Sequence, residues 1–286
     1  MPSSNDYDLE AGRNKEGGSV DTEFDRDQLL TRIRTSNSVS IPPELFEKLY
    51  LSPEKHVKGN LRQTFANPTP AALLGHVICI CPLGCDLLQL RGAGQWGAAS
   101  TGAFVFLGGL LLILSGIFEF ILGNTFSFVV FFAFGGFWLS FAGTLVPAFN
   151  SVGAYSSTGD SLVLGLNTKG FQTSFAFYLL FWTMLAIIMT LCALRTNVVF
   201  VLLFFFLDMT LLLLTIGYFT LSVDYQKAIN ICKAGGATAL ACGLCGMYLF
   251  VVLMFIAVDF PILFPVGDLS HKIKGWQEKH GPLKNA

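Results

Sequence analysis

Six apolar stretches, each about twenty residues long, fill the chain from Asn67 to about Ile256 and are separated by short polar segments. A helix that rises ~1.5 Å per residue needs about 20 apolar residues to cross a hydrocarbon core ~30 Å thick. Hydrophobic residues make up 53% of the chain and charged residues 13%, unlike the composition of a soluble protein. The sequence therefore predicts a protein embedded in a lipid bilayer.

The apolar stretches have the pattern of helices rather than of barrel strands. Strands of a membrane barrel are about ten residues long and alternate in polarity, whereas FVFLGGLLLILSGIFEFIL, from Phe104, is apolar on every face. We predict an all-α, polytopic membrane protein built as a bundle of six transmembrane helices. The predicted spans are residues 67–90, 100–122, 126–147, 171–194, 198–221 and 233–257, which together form a transmembrane domain at 67–257.

Three further segments flank this domain. Residues 1–40 are rich in Ser, Asp, Glu, Arg, Gly and Asn, lack an apolar period, and are predicted to form a disordered cytosolic tail. Residues 41–66 are a pre-membrane segment, and residues 258–286 a cytosolic C-terminal tail. No cationic segment followed by a short apolar run opens the chain, so we expect the first membrane helix to direct insertion.

Basic residues near the spans predict the orientation. Seven lie on the side of the termini and four on the other side, which favours cytosolic termini, and we expect the plasma membrane as the location. The seven are Lys48, Lys55, Lys58, Arg62, Arg195, Lys272 and Lys274, and the four are Arg91, Lys169, Lys227 and Lys233. No basic stripe suggests a nucleic-acid partner.

Three polar side chains within the spans are candidates for function: His76, Glu119 and Asp208. A charged side chain at the centre of a membrane helix costs at least ~2.5 to 3.5 kcal/mol, so each of the three calls for an explanation. Glu119 lies near the cytosolic end of the second span, where it can reach interfacial water or a neighbouring helix start. Asn124 and Thr125, which follow it, are predicted to support it.

The depths of His76, Phe134 and Asp208 along the first, third and fifth spans are similar. The three residues lie ~13.5, ~12 and ~15 Å from the helix starts, close to the midplane. If these helices converge, the side chains form one ring, although Leu207 and Asp208 are turned ~100° apart and only one can point inward. Alternatively, His76 bonds a neighbouring carbonyl, and a protonated Asp208 bonds Thr210 or a facing Ser or Thr.

The first span begins with the sequence Asn67-Pro68-Thr69-Pro70. Asn is a favoured N-cap, and Pro suits the first helical position, where its missing N–H would have no partner. The free N–H groups of this helix start carry partial positive charge, which would attract a carboxylate. The segment is either a cytosolic entrance for an anion or a helix start without a ligand.

The cysteines and the remaining polar residues give no signal for an enzyme. Cys242 and Cys245 have the spacing of a redox or metal pair, but the rest of a ligand set is missing, so we interpret them as small packing residues. The chain has no Ser-His-Asp arrangement at a water-facing site and no phosphate loop. We predict neither enzymatic activity nor a cofactor or metal ion.

Six motifs in register resemble the acetate uptake transporters, a family of small six-helix membrane proteins of bacteria and fungi. The motifs are NPTPAALLGH at Asn67–His76, Glu119-x-x-x-Gly123-Asn124-Thr125-Phe126, Phe134-Gly135-Gly136-Phe137-Trp138, Arg195-Thr196-Asn197, FFFLDMTLLLLTIGY at Phe204–Tyr218 and PVGDLS at Pro265–Ser270. The segment PPELFEKLYL, from Pro42, is similar to that of the fungal branch. The likeness covers residues 41–274.

This resemblance implies a function and an assembly. It implies a homo-oligomer, a hexameric ring, with a path through each protomer that passes acetate and similar short monocarboxylates, coupled to protons in some members. Certain fungal relatives are tied to ammonia export. The family's narrow point is formed by a Phe, a Tyr and a Leu, whose motif positions here hold His76, Phe134 and Leu207.

Two of these positions depart from the family, as does Asp208, which stands where a neutral residue is usual. A cationic His76 would help an anion to cross, whereas an ionised Asp208 would favour ammonium or a proton. The sequence therefore predicts a transporter or channel for acetate and related monocarboxylates. The alternatives are an ammonium or ammonia exporter, and a non-conducting membrane sensor of acetate that signals through its tail near Thr35–Ser40.

Overall fold

The computed structural model of the protein describes residues 65–269, together with Lys272 and Lys279. Six helices in this part are long and apolar enough to cross a membrane, which confirms the predicted all-α bundle. They are α1 (Thr69–Leu87), α2 (Trp96–Ile121), α3 (Thr125–Leu145), α4 (Lys169–Ala193), α5 (Val198–Thr220) and α6 (Tyr225–Ala257). The predicted tail at 1–40 and nearly all of the pre-membrane segment lie outside the described residues.

The largest difference from the predicted spans is at α6, which begins at Tyr225 rather than at residue 233. The carboxylate of Asp224 caps this helix by accepting a hydrogen bond from the backbone N–H of Lys227, with 3.0 Å between the two atoms. The first two turns, YQKAINIC, mix polar with apolar residues, and Lys233 follows, so the continuous apolar run begins only after them. The N-cap residue was the signal that would have placed the helix start correctly.

The helices form a ring in which each packs against the next along the chain, and α6 closes it against α1. Consecutive helices are antiparallel, also across the long connection between Leu145 and Lys169, so α1, α3 and α5 begin at one end of the bundle. Contacts there agree with this direction, since the rings of Phe126 in α3 and Phe200 in α5 lie 6.3 Å apart. The starts of these three helices therefore surround one end of the bundle interior.

Close approach of the helix backbones depends on glycine. A Cβ atom on Gly84 of α1 would lie 2.9 Å from the carbonyl oxygen of Gly236 in α6, closer than side chains tolerate. Gly108, in a π-helical segment of α2 (Phe104–Leu111), would place a Cβ 2.6 Å from Cγ of Trp138 in α3. Small residues at such positions allow van der Waals packing between membrane helices.

Two motifs that are distant in the sequence pair at the start of α5. The backbone N–H of Val198 donates to the carbonyl of Gly267 at 2.8 Å, and that of Leu269 to the carbonyl of Thr196 at 3.0 Å. The segment Pro265–Leu269, within the predicted C-terminal tail at 258–286, is thereby held against the turn between α4 and α5. The side chain of Asn197 caps α5 by accepting from the N–H of Phe200.

A buried carboxylate joins the starts of α1 and α3 to the end of α2. Glu119 is fully buried, and its two oxygens accept hydrogen bonds from Oγ1 of Thr69 and Nδ2 of Asn124, each at 2.5 Å. Sequence reasoning allowed Glu119 to reach a neighbouring helix start, and the structure shows this contact. A charge that would be costly in the bilayer is thus satisfied inside the bundle.

Replacing Glu119 by Gln should destabilise the bundle, because the two donors Thr69 and Asn124 would then have one acceptor oxygen between them. The new NH₂ group would either face the amide donor of Asn124 or force the hydroxyl of Thr69 to accept and turn its own proton elsewhere. Loss of a buried hydrogen bond to a charged group costs about 1–3 kcal/mol. We expect a lower midpoint of thermal unfolding for E119Q in detergent micelles. The double variant E119Q/N124D, which restores a donor facing an acceptor, should recover part of the loss.

An unchanged midpoint of thermal unfolding in E119Q would contradict the stabilising role assigned to the hydrogen bonds of Glu119. Equal losses in E119Q and in the double variant would show that hydrogen-bond complementarity between positions 119 and 124 is not what stabilises the bundle.

Candidate functional site

The start of α1 places the predicted entrance residues at the end of the bundle where α3 and α5 also begin. The side-chain oxygen of Asn67 accepts a hydrogen bond from the N–H of Thr69 at 2.9 Å, while Pro68 occupies the N-cap position and Pro70 follows within the first turn. The expected N-cap at Asn67 was therefore wrong by one residue. Asn67 still satisfies a backbone N–H of the helix start, because its side chain reaches past Pro68.

A pocket with about 360 Å³ of empty space, part of it open, lies between α1, α2, α3 and α5. Among the residues described along its walls, His76 alone carries a polar side chain. The lining residues are Ala72, Leu73, His76, Leu112, Val130, Phe131, Phe134, Phe200, Leu203, Phe204 and Leu207.

Three of the predicted constriction residues meet at this pocket: His76 from α1, Phe134 from α3 and Leu207 from α5. Each is nearly buried, with 5 to 7% of its surface exposed. The ring centroids of His76 and Phe134 are 6.4 Å apart in an edge-on arrangement. The three helices therefore converge as the depth argument required.

The imidazole of His76 stands between the pocket and α6. Its Nε2 atom lies 3.7 Å from Sγ of Cys242, a buried thiol on α6. Its ring also meets that of Trp138 edge-on, with centroids 6.1 Å apart. Aromatic rings and one thiol thus fix the orientation of a titratable group at membrane depth.

Asp208 was predicted to belong to the same site, and the structure places its side chain elsewhere. It lies at the level of Leu207 but is not among the residues that line the pocket. Its Oδ2 atom is 2.6 Å from Oγ1 of Thr190 in α4. This geometry matches the alternative interpretation, in which Asp208 bonds a facing Ser or Thr, although the partner is Thr190 rather than Thr210.

The other predicted supporting residues lie at the joint of helix ends rather than on the pocket walls. Glu119 and Asn124 bond each other there, and Thr125 is the first residue of α3. In the described part of the chain, no group of three or more His, Cys, Asp or Glu side chains is arranged to hold a metal ion. Cys242 and Cys245 are free thiols.

Sequence reasoning missed two aromatic residues of the pocket wall, Phe200 and Phe204. Together with the predicted Leu207 they follow the spacing i, i+4 and i+7, which places all three on one face of α5. This signal is invisible in a helix that is apolar all round, because the outward-facing residues are equally apolar. Thr190 gave no signal either, since a threonine within a span is ordinary.

Comparison with known proteins identifies the family. Residues 50–270 match the GPR1/FUN34/yaaH family. The protein alcS of Aspergillus fumigatus is 43% identical over 242 residues, which cover 84% of this chain and 88% of that protein. Acetate permease A of Emericella nidulans is 33% identical over 224 residues, covering 77% of this chain and 70% of that protein.

A solved structure supports the same fold. The structure described as that of the bacterial acetate channel SatP superposes with a TM-score of 0.58 at 24% sequence identity, covering 71% of this chain and 99% of that one. At this identity the likeness concerns the arrangement of helices. The family match over most of the chain and the fungal relatives agree with it: this protein belongs to the GPR1/FUN34/yaaH family.

Proposed function

We propose that this protein carries acetate and related short-chain monocarboxylates across a membrane, as a channel or a carrier. The observation that carries this proposal is the pocket at membrane depth, apolar on nearly all sides and furnished with one imidazole. The Emericella nidulans relative described as an acetate permease supports the same substrate class.

The chemistry of the pocket suits a small anion with an apolar end. The methyl group of acetate would contact the phenyl and leucine side chains, at no cost in unsatisfied polar groups. The carboxylate must lose water to enter, which is expensive unless a donor replaces that water. His76 is the donor that we assign to this role, with Phe134 and Leu207 completing the constriction.

We assign the entrance to the starts of α1, α3 and α5. The N-terminus of α1 lies at this end, where the partial positive charge of the helix dipole favours an anion. The N–H groups of Thr69, Ala71 and Ala72 are already hydrogen-bonded, so the dipole rather than a free N–H group would attract the carboxylate. The apolar wall of the pocket begins at Ala72, one turn further along α1. A carboxylate would thus meet the segment Asn67–Pro70 first and His76 afterwards.

The charge of the pocket argues against ammonium as the substrate. An ammonium ion would require carboxylate or carbonyl oxygens in the path, and the described lining contains no acidic side chain. Asp208, which motivated this alternative, faces α4. For the sensor alternative, the relevant residues near Thr35–Ser40 lie outside the described part of the chain.

Location and assembly are parts of the same proposal. We place the protein in the plasma membrane. We orient both termini toward the cytosol, on the distribution of Lys and Arg beside the spans. Large apolar side chains such as Phe106 and Phe181 are exposed on the outer faces of the helices, where lipid or other copies would cover them. A homo-oligomer, and a hexamer in particular, follows from the family resemblance.

Reconstitution into liposomes tests the transport function. We expect uptake of labelled acetate above that of protein-free liposomes, and competition by lactate rather than by succinate or ammonium, at two values of pH. Uptake identical to that of protein-free liposomes would refute the proposal. Zero flux in a correctly assembled protein, with a cellular phenotype on deletion of the tail, would favour the sensor.

Replacing Leu207 by Ala should widen the constriction and raise the flux of lactate relative to that of acetate. The matched control is L211A, because Leu211 is equally buried on α5 but does not line the pocket. Both variants should lose about 2–5 kcal/mol of stability. A selectivity change of the same size in both would show that Leu207 does not limit the passage.

Replacing His76 by Phe should reduce acetate flux roughly tenfold or more. The substitution keeps an aromatic ring but removes a hydrogen bond to a charged group, which is worth about 1.5–3 kcal/mol. H76Q, which keeps an N–H donor, should retain more activity than H76F in the same liposome assay. Full activity in H76F would exclude the proposed role of the imidazole.

A further inference from the structure

The carboxyl group of Asp208 is buried deep in the bundle with one oxygen unpartnered. Only 6% of the residue is exposed, and it lies near the middle of α5. Oδ2 has Thr190 as its partner, whereas Oδ1 is enclosed and has no hydrogen-bond donor among the residues that the structure describes. A buried carboxyl oxygen without a donor is unusual, and it limits which protonation state fits.

The hydroxyl of Thr190 has two possible acceptors and one proton. Its Oγ1 atom lies 2.6 Å from Oδ2 of Asp208 and 3.1 Å from the carbonyl oxygen of Ala186, one turn earlier in α4. A hydroxyl donates one proton and accepts through its lone pairs. Thr190 therefore either donates its hydrogen bond to Asp208, or donates to the carbonyl of Ala186 and accepts a hydrogen bond from a protonated Asp208.

The second arrangement satisfies more groups than the first. If Asp208 is ionised, the anion has one donor, one oxygen without a partner, and the hydrocarbon around it, which is costly. If Asp208 is protonated, its O–H donates to Thr190, Thr190 donates to Ala186, and the unpartnered oxygen is a neutral carbonyl. The geometry between α4 and α5 thus forms a fitted site for a proton.

The proton site lies directly behind the wall of the pocket, because Asp208 follows Leu207, which lines it. On the side of α6, the charge of Asp208 acts on the buried thiol of Cys242, without a hydrogen bond between them in the described contacts. Sγ of Cys242 is also 3.7 Å from Nε2 of His76, whose ring lines the pocket. The titratable and polar groups around Asp208 are then Thr190 on α4, Cys242 on α6 and, beyond the thiol, His76 on α1.

We propose that Asp208, hydrogen-bonded to Thr190, is an exchangeable proton-binding site directly behind the wall of the transport path. The carboxyl O–H bond forms with a proton taken up on one side of the membrane and breaks as that proton leaves on the other. No electron is transferred. This role rests on the proposed function, because one proton would accompany each carboxylate anion and cancel its charge.

Infrared difference spectroscopy of the purified protein tests the proton site without any transport. A protonated carboxyl group has a C=O stretch that a carboxylate lacks. We expect such a band in the wild type at neutral pH, its loss in D208N, and a frequency shift in T190V, where the hydroxyl is missing. T183V is the matched control, because Thr183 is a buried threonine of α4 that bonds only the carbonyl of Leu179 in the described contacts.

Each possible result of the infrared experiment either supports or overturns the proton site at Asp208. A band lost in D208N, shifted in T190V and unshifted in T183V supports the site. A spectrum that is the same in the wild type and in D208N overturns it, and equal shifts in T190V and T183V overturn the part assigned to Thr190. Asn is close to Asp in size, so D208N is expected to keep the fold, which its thermal unfolding midpoint checks.

Acetate uptake under an imposed membrane potential tests the coupling. With potassium gradients and valinomycin, uptake by wild-type liposomes should not respond to the potential, since a proton and an anion together carry no charge. D208N should show uptake that rises several-fold when the interior is made positive. Potential-driven uptake in the wild type, or uptake in D208N that ignores the potential, would overturn the coupling.

The two experiments separate this inference from the proposed function. Wild-type liposomes that take up no acetate, from protein that still shows the Asp208 band, would refute acetate transport and with it the coupling, while supporting the proton site. Acetate uptake by protein without that band would refute the proton site and support the proposed function.

Discussion

Water is absent from the hydrocarbon core of a bilayer, so every polar group at that depth must find its partner inside the protein. The backbone meets this requirement by forming helices, and the side chains meet it through contacts between them. Glu119 binds two donors from the starts of α1 and α3. These hydrogen bonds hold the end of α2 and the starts of α1 and α3 together beside the pocket.

The same constraint has different outcomes at His76 and Asp208. His76 lines an apolar pocket and is held by a thiol and two aromatic rings, which leaves the imidazole beside the space that a substrate would occupy. Asp208 is one residue from the pocket wall but faces α4, where the hydroxyl of Thr190 is its partner. The three titratable side chains inside the bundle thus have different positions. Glu119 connects helix ends, His76 lines the pocket, and Asp208 lies behind the pocket wall.

Glycine and aromatic residues together shape the pocket inside the bundle. At Gly84, Gly108 and Gly236 the helices approach so closely that a side chain would collide with a neighbouring helix. Aromatic rings fill the wider interior between α3 and α5, as the pair Phe126 and Phe200 illustrates. The pocket is what remains between these rings, and its walls are apolar because the rings form them.

Sequence alone determined the all-α class, the six spans apart from the start of α6, and the similar depth of His76, Phe134 and the pair Leu207 and Asp208, because helix rise and bilayer thickness are fixed quantities. Motif resemblance supplied the family in addition. Tertiary structure alone decided that Leu207 rather than Asp208 faces the pocket, and that Thr190 is the partner of Asp208. In a helix that is apolar on all faces the pattern of residues has no contrast, so its rotation about its own axis follows only from packing against its neighbours.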